Sequence, residues 1–191
     1  VGYRNLTELI SRGWVEGQRQ GRAVLQRAWV MAQSEGLIVL SGGSEGDVGR
    51  HLLADHHAEA RALLDEWNAA FPGRYYLELT RTGRALEEEC VHRSVDLAMA
   101  TRTPVVATND VRFLEREDFW AHETRVSIGE GKALDDPRRE RRYSEEQYLK
   151  SPEEMAELFS DIPEALENTA LIAARCNVDI RLGDIFLPEY G

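Results

Sequence analysis

Three short apolar runs of the sequence are each followed by polar or charged residues that could take part in chemistry. Ser41-Gly42-Gly43 follows the first run, Glu78 lies in the second with Arg81 after it, and Thr108-Asn109-Asp110 follows the third. Asp110 is the carboxylate best placed for a divalent cation, but such a site needs several converging ligands. Loops between strands and helices also use Ser, Thr, Asn and Gly for their conformation, so a purely structural role stays open for each cluster.

Other residue patterns argue against several kinds of site. The glycine-rich segment 42–49 lacks the Lys-Ser/Thr pair of a phosphate loop and carries two carboxylates, so we predict a tight turn that enters a helix. The five histidines do not form the His-Glu-x-x-His zinc pattern, and Cys90 and His92 diverge on one predicted helix, which gives no support to a thiol nucleophile. The basic run 138–142 could contact phosphates, but the glutamates within and after it favour a solvated loop.

The composition is that of a folded, acidic domain. The 191 residues are 42% hydrophobic and 30% charged, and the net charge is −11. This size predicts one domain, and this charge argues against a general electrostatic affinity for nucleic acid. Two cysteines exclude a disulfide scaffold, and no apolar run approaches the ~20 residues that cross a membrane, so we expect no membrane association. The chain begins at Val1 without a methionine, and we expect it to be a piece of a longer protein.

Alternating strands and helices must position the candidate residues. The apolar runs predict strands, the first of them buried on both faces, and the segments between them have helical spacing. The repeat of about 30 residues is that of a β/α unit, which predicts an α/β fold with a parallel sheet or barrel. Helix starts at Ser144, Ser151 and Asp161, each followed three residues later by Gln or Glu, predict a helical carboxyl-terminal part. We predict strands over 37–40, 75–79, 104–107 and 178–182, and helices over 5–17, 23–33, 55–71, 87–101 and 118–128.

Longer motifs stand in a definite order along the chain. They are Leu-Ser-Gly-Gly at 40–43, Pro-Val-Val-Ala-Thr-Asn-Asp-Val-Arg-Phe at 104–113, Ala-His-Glu at 121–123, Leu-Asp-Asp-Pro at 134–137 and Asp-Ile-Pro-Glu-Ala at 161–165. In this order they resemble the PHP domain (polymerase and histidinol phosphatase) of bacterial DNA polymerase III alpha subunits of the proteobacterial replicative type. The resemblance implies that residues 1–191 are a partial PHP domain, an incomplete distorted seven-stranded β/α barrel. It implies β/α units over 1–142 and a helical part over 143–191 that leads towards the polymerase core.

The resemblance also implies where a metal site would lie. In active family members, His, Asp, Glu and Cys side chains at the strand ends bind metal ions and hydrolyse phosphoesters. This chain lacks the opening His-x-His strand, carries Gly43 where those members have Cys or His, and carries Arg112 two residues after Asp110 where they have His. Because arginine stays cationic and cannot ligate a metal, we predict an Asp110–Arg112 ion pair in a vestigial site. We expect no catalytic residue, metal or cofactor in this chain.

By the same resemblance, the chain is expected to be part of the alpha subunit of replicative DNA polymerase III, in the cytoplasm. This region would be an inactive scaffold that supports the polymerase core and binds the proofreading exonuclease subunit. The other expected partners are further holoenzyme subunits, and DNA that binds through the parent polymerase. Mg²⁺ is expected in the active site of that polymerase. The alternative is an active metal-dependent phosphoesterase or 3′–5′ exonuclease holding zinc or manganese, and a generic α/β small-molecule binder is a third. An incomplete barrel exposes a sheet edge, so we also expect a second chain to cover it, as in a dimer.

Overall fold

A parallel three-stranded sheet forms the centre of the chain. In the computed structural model, which describes residues 1–180 and 182–183, the strands are β1 (Val39–Leu40), β2 (Tyr75–Thr80) and β3 (Val105–Thr108), in the order β1-β2-β3. Residues 39 and 40 pair with 75 and 76, and residues 77–80 pair with 105–108. Because the strands are parallel, their carboxyl ends lie at one edge of the sheet. The predicted α/β class with a parallel sheet is confirmed, and the seven-stranded barrel stays a prediction.

Helices account for most of the remaining regular structure in the described residues. None of them is long and apolar enough to span a membrane. The glycine-rich segment forms a short 3₁₀ turn over Gly43–Glu45 and then enters a helix, as predicted. A second 3₁₀ turn covers Arg116–Asp118. The helices are α1 (Gly2–Val15), α2 (Arg27–Ala32), α3 (Asp47–Leu53), α4 (His57–Ala70), α5 (Glu87–Thr101), α6 (Phe119–Glu130), α7 (Pro152–Leu158) and α8 (Pro163–Arg175).

Two apolar clusters hold the helices against the sheet. On one side, Trp67 of α4 stacks on Tyr75 of β2 with ring centroids 5.5 Å apart, in a buried cluster that includes Leu64 and Leu77. The second cluster joins Leu79 of β2 to residues of α5, β3 and α8, with the side chain before α8, Phe159, fully buried among them. Burying large side chains on both faces makes β2 the rigid central strand of the described sheet.

The two outer strands of the described sheet differ in how they are covered. Beyond β3, α8 supplies side-chain donors: Asn168 Nδ2 bonds the Val105 carbonyl at 2.8 Å and Thr169 Oγ1 bonds the Ala107 carbonyl at 2.9 Å. These bonds satisfy carbonyls on the strand's outer edge. Strand β1 is only two residues long, and Leu40 is exposed. The prediction that this strand is buried on both faces is therefore wrong, because Val39 packs against the core cluster while the next side chain, Leu40, is exposed.

Several predicted helix starts are wrong, because the side chains involved bind tertiary partners instead. No helix begins at Ser144, whose hydroxyl donates to the Thr82 carbonyl, while Gln147 Nε2 donates to Asp110 Oδ2 at 2.8 Å. Asp161 does not cap α8, since its carboxylate binds Arg81 at 2.6 Å. The start at Ser151 is confirmed, with a complete capping box to Glu154 ahead of α7.

The ends of the chain also differ from prediction. Helix α1 begins three residues before Asn5, whose side chain donates to the Glu35 carbonyl at 2.8 Å rather than capping the helix. The helix predicted over 23–33 is limited to α2. Residues 178–180 and 182 do not form the predicted strand, and Arg181 of that prediction lies outside the described residues.

Candidate functional site

A small cleft of about 150 Å³ lies at the carboxyl edge of the sheet. It brings together residues from the ends of all three strands, which is where ligands bind in parallel α/β folds. Its polar lining contrasts with the apolar pocket expected of a generic small-molecule binder. The lining residues are Gly42, Ser44, Glu45, Glu78, Thr80, Arg84, Asp110 and Arg112.

Asp110 is the centre of the charges in this cleft. Its Oδ1 lies 2.7 Å from Arg112 Nη2, which confirms the predicted ion pair. Its Oδ2 lies 3.2 Å from Arg84 Nη1 and accepts a hydrogen bond from Gln147 Nε2 at 2.8 Å. Both carboxylate oxygens therefore already have positively charged or amide donors. The residue sits at φ +42°, a conformation that asparagine and aspartate adopt more readily than most side chains.

A buried glutamate fixes Arg84 in the cleft. Glu87, at the start of α5, is 3% exposed and accepts hydrogen bonds from the Thr82 N–H at 2.6 Å and from Arg84 Nε at 2.8 Å. The same guanidinium reaches Asp110 through Nη1 and lies 3.4 Å from Glu45. Because its bond to Glu87 is buried, Arg84 has little freedom to leave Asp110.

The second carboxylate of the cleft, Glu78, ties the three strand ends together. One of its oxygens accepts from the Gly42 N–H at 3.0 Å after β1, and the other accepts from Thr108 Oγ1 at 2.6 Å at the end of β3. The Glu78 N–H in turn donates to Ser41 Oγ at 2.9 Å. Glu78 therefore serves as a bridge within the protein, with a hydrogen bond on each carboxylate oxygen.

Position 43 faces this cleft but brings no side chain to it. A Cβ on Gly43 would lie 3.4 Å from Thr80 Oγ1 and 3.8 Å from the Glu78 carbonyl, so a side chain here would enter the cleft. Gly43 has φ +55°, in the left-handed region that glycine adopts most easily. Glycine at this position supplies neither a thiolate nor an imidazole.

The residues of the cleft do not fit a divalent metal ion. Two guanidiniums form ion pairs with the Asp110 carboxylate. A guanidinium has no lone pair to donate to a metal cation. Both oxygens of Glu78 are bonded within the protein. In the part of the chain that the structure describes, no group of three or more His, Cys, Asp or Glu side chains is arranged to hold a metal. The chemistry that this donor set favours is structural ion pairing.

An aromatic cluster adjoins the cleft. The Arg112 guanidinium lies 5.5 Å above the Tyr143 ring, and Tyr143 meets His122 edge-on at 4.6 Å between ring centroids. Burial, with smaller contributions from the charges of Arg125 and Arg112, lowers the pKa of His122. A neutral imidazole therefore packs in this cluster near pH 7.

The basic run 138–142 is not a uniformly solvated loop. Arg139 and Glu123 are both 2% exposed and form an ion pair at 2.6 Å. The neighbouring Arg138 side chain is 84% exposed and pairs with Asp136 at 2.7 Å. The prediction of a solvated loop is wrong for Arg139, because its guanidinium anchors the loop against α6.

Sequence reasoning placed some polar residues correctly and missed others. Asp110 and Arg112 line the cleft, and a Cβ on Gly43 would lie 3.4 Å from Thr80 Oγ1, which also lines it. Arg81 lies elsewhere, bound to Asp161 and Glu88. Asn109 is buried, and its amide donates to the carbonyls of residues 146 and 148. Arg84, Gln147 and Tyr143 were missed. Arg84 could have been identified from the sequence as a site residue, because it follows the end of a predicted strand.

Comparison with known proteins gives relatives for the whole chain. Residues 1–82 match the PHP domain family. The chain is 61% identical over 189 residues to the DNA polymerase III subunit alpha of Pseudomonas aeruginosa. It is 53% identical over 190 residues to that of Escherichia coli K12 and 50% identical over 190 residues to that of Vibrio cholerae. These alignments cover 99 to 100% of this chain and 16% of each relative, so the chain spans about one sixth of the length of the relatives it matches.

Proposed function

We propose that this chain belongs to the PHP-domain region of a DNA polymerase III alpha subunit and is a non-catalytic scaffold within that replicative DNA polymerase. The observation that carries the proposal is the double ion pair on Asp110. Arg112 and Arg84 lie 2.7 and 3.2 Å from its two oxygens, where a metal-binding relative would offer those oxygens to a cation. The scaffold supports the polymerase core and binds the proofreading exonuclease subunit.

The remaining parts of this proposal concern the parent subunit. It is a DNA-directed DNA polymerase of the cytoplasm, with Mg²⁺ in a polymerase site outside these residues. DNA and the other polymerase III holoenzyme subunits are partners of that whole protein. The three described strands form part of a seven-stranded barrel. The proposal rests on identities of 50 to 61% that run along almost the entire chain.

Hydrolysis of single-stranded DNA tests the inactive-site proposal. We expect the full-length subunit, purified without its exonuclease partner, to show no 3′–5′ hydrolysis of single-stranded DNA that a chelator abolishes. The Asp110→Asn variant, prepared in parallel, separates this site from a contaminating nuclease. Chelator-sensitive hydrolysis that the variant lacks, together with stoichiometric zinc or manganese in the unaltered protein, would establish the phosphoesterase alternative instead.

Titration with the proofreading exonuclease subunit tests the partner proposal. Isothermal titration calorimetry is expected to show saturable binding to the full-length subunit. Absence of heat and of co-elution in size-exclusion chromatography would contradict the partner assignment without affecting the inactive-site proposal.

We further propose that the 191-residue chain by itself forms a dimer. A groove of about 910 Å³ lies beside β1 and is lined by apolar residues such as Tyr3, Leu6, Leu37 and Ile38. Exposed apolar grooves are normally covered by another surface. Sedimentation equilibrium of the isolated chain is expected to give twice the monomer mass, and a monomer at all concentrations would contradict this part of the proposal.

A further inference from the structure

One segment of this acidic chain carries an excess of positive charge. Residues 17–32 contain three arginines, at 19, 22 and 27, and no aspartate, glutamate or lysine, so the segment has a net charge of +3 in a chain of net charge −11. Arg27 lies 3.4 Å from Glu66 of α4, which uses its charge within the protein. Arg19 and Arg22 are exposed, and neither forms an ion pair with a residue that the structure describes.

The backbone brings these two arginines side by side. The Arg19 N–H donates to the Arg22 carbonyl at 2.9 Å, and the Arg22 N–H donates to the Arg19 carbonyl at 3.0 Å. The two central residues, Gln20 and Gly21, have φ of +50° and +75°, as in a type I′ hairpin turn. Directly opposed residues of an antiparallel pair project to the same face, with Cβ atoms about 5 Å apart. The turn therefore presents two guanidiniums in one direction, and we refer to residues 18–22 as the arginine turn.

Helix α1 holds the arginine turn in place. Gly13 lies in the last turn of α1 and Gly17 just after it, and the chain that returns from the arginine turn packs against both. A Cβ on Gly17 would lie 2.0 Å from the Val24 carbonyl oxygen, and one on Gly13 would lie 3.0 Å from Leu25 Cδ2. The approach at Gly17 is possible only without a side chain. Because the chain is fixed on both sides of the turn, ordering it on a ligand costs little conformational entropy.

The arginine turn is separate from the cleft and from the groove beside β1. Of the described residues that line these two cavities, none lies between 7 and 35. The first turn of α1 lies beside the segment before β1, where Asn5 donates to the Glu35 carbonyl at 2.8 Å. The arginine turn lies beyond the other end of α1, whose 14 residues span about 21 Å. Neither the vestigial site nor the proposed dimer contact therefore accounts for its charges.

The side chains of the arginine turn suit a phosphodiester backbone. Gln18, Arg19, Gln20 and Arg22 are all exposed and offer N–H donors, and the turn has no carboxylate and no apolar side chain. A protein partner is normally held by apolar or aromatic anchors, which this turn lacks. Contacts to nucleic-acid phosphates are made by arginine and amide side chains of this kind. The chemistry of the turn thus favours DNA over an acidic protein segment.

We infer that the arginine turn contacts the phosphate backbone of DNA, through Arg19 and Arg22. This inference rests on the proposed function, in which the chain is part of a DNA polymerase. Each guanidinium pairs with one phosphate, so the contact does not depend on base sequence. The net charge of −11 opposes a wide contact with DNA, and the interaction is therefore confined to this basic turn.

The salt dependence of DNA binding tests the inference. Fluorescence anisotropy measures the affinity of the full-length subunit for a labelled primer–template at several salt concentrations. Each phosphate contact contributes about 0.7 (single strands) to 0.9 (duplex) to the slope of log K against log salt concentration. Arg19→Gln/Arg22→Gln is therefore expected to reduce the magnitude of this slope by about 1.4–1.8. Arg19→Lys/Arg22→Lys retains both charges and is expected to keep the slope.

Arg102→Gln/Arg125→Gln is the matched control. Both arginines are exposed and form no ion pair with a described residue, so this variant changes the net charge equally and is expected to leave the slope unaltered. Equal slopes for the unaltered subunit and Arg19→Gln/Arg22→Gln would overturn the inference, as would an equal reduction in the control, which would indicate a general effect of net charge. In either case the proposed function stands.

Two further outcomes separate this inference from its premise and from a protein partner. If the unaltered subunit does not bind the primer–template, the proposed place in a DNA polymerase fails and the inference fails with it. If Arg19→Gln/Arg22→Gln binds DNA with an unaltered slope but loses binding of the exonuclease subunit, the arginine turn contacts an acidic protein segment and the inference is overturned.

Discussion

The buried Glu123–Arg139 ion pair gives the sharpest prediction about stability. Arg139 Nη2 lies 2.6 Å from Glu123 Oε2, and both side chains are almost completely buried. A second carboxylate, Glu130, lies 3.6 Å from Arg139 Nε at the end of α6. Replacing Arg139 with Met keeps much of its apolar volume but leaves the Glu123 carboxylate buried without its cation.

The expected cost follows from the buried charge that the substitution leaves without a partner. Breaking a buried ion pair by removing one partner costs about 3–5 kcal/mol. We therefore expect Arg139→Met to lower the free energy of unfolding by about 3–5 kcal/mol at pH 7.

Urea denaturation followed by circular dichroism measures this difference. Arg138→Met is the matched control, since Arg138 is the adjacent arginine and its side chain is 84% exposed. Its effect is expected to stay within about 1 kcal/mol. The double variant Glu123→Gln/Arg139→Met removes the buried charge and is expected to regain part of the loss. If Arg139→Met were no more destabilising than Arg138→Met, the buried ion pair would not be what anchors the loop.

Three further substitutions test other charged groups of the structure. Asp110→Asn removes both ion pairs of the cleft and is expected to lower the free energy of unfolding by about 1–2 kcal/mol in urea titrations, against about 0.5 kcal/mol or less for Asp65→Asn on the exposed face of α4. Because burial lowers the pKa of His122, the unfolded chain takes up a proton that the folded chain does not as pH falls below about 6.5. The melting temperature should therefore drop between pH 7.5 and 5.5 by a component that His122→Phe lacks, and identical pH profiles would contradict this. The Arg81 guanidinium holds the pKa of Asp161 below its usual range, so this pair stabilises the fold above about pH 4 and less so as pH falls further. Asp161→Asn should lower the free energy of unfolding by about 1 kcal/mol or less at pH 7, because the carboxylate is largely in solvent, and the difference from the unaltered chain should vanish in acid.

The alternation of strands and helices could be predicted because it depends on local patterns. The apolar run at 75–79 became β2, and the capping residues Ser151 and Glu154 began α7, since each signal lies within a few residues of sequence. Cap patterns failed where a tertiary partner competed for the side chain. Asp161 binds Arg81, 80 residues away, and that bond replaces the predicted cap.

The candidate site, too, could be predicted only where its contacts join residues that are close in sequence. Asp110 and Arg112 are two residues apart, so their ion pair could be predicted from the sequence. Arg84 and Gln147 reach Asp110 only because the end of β2 and the segment after α6 meet there in the fold. The burial of Arg139 could not be predicted from the sequence either. A run of arginines has the composition of a solvated loop whether or not one of them turns inward.

Arg112 is not the only cation that opposes metal binding at this cleft. Arg84 contacts the other oxygen of Asp110 and is held there by Glu87, whose own carboxylate is buried and bonded to the Thr82 backbone. Replacing Arg112 with a histidine would therefore free one oxygen of Asp110 while a guanidinium still occupied the second. Two guanidiniums bind one carboxylate and are held by different parts of the chain. The cleft therefore connects the strand ends through ion pairs. A surface beside such a cleft keeps its shape without a bound ion, which is what a protein-binding scaffold requires.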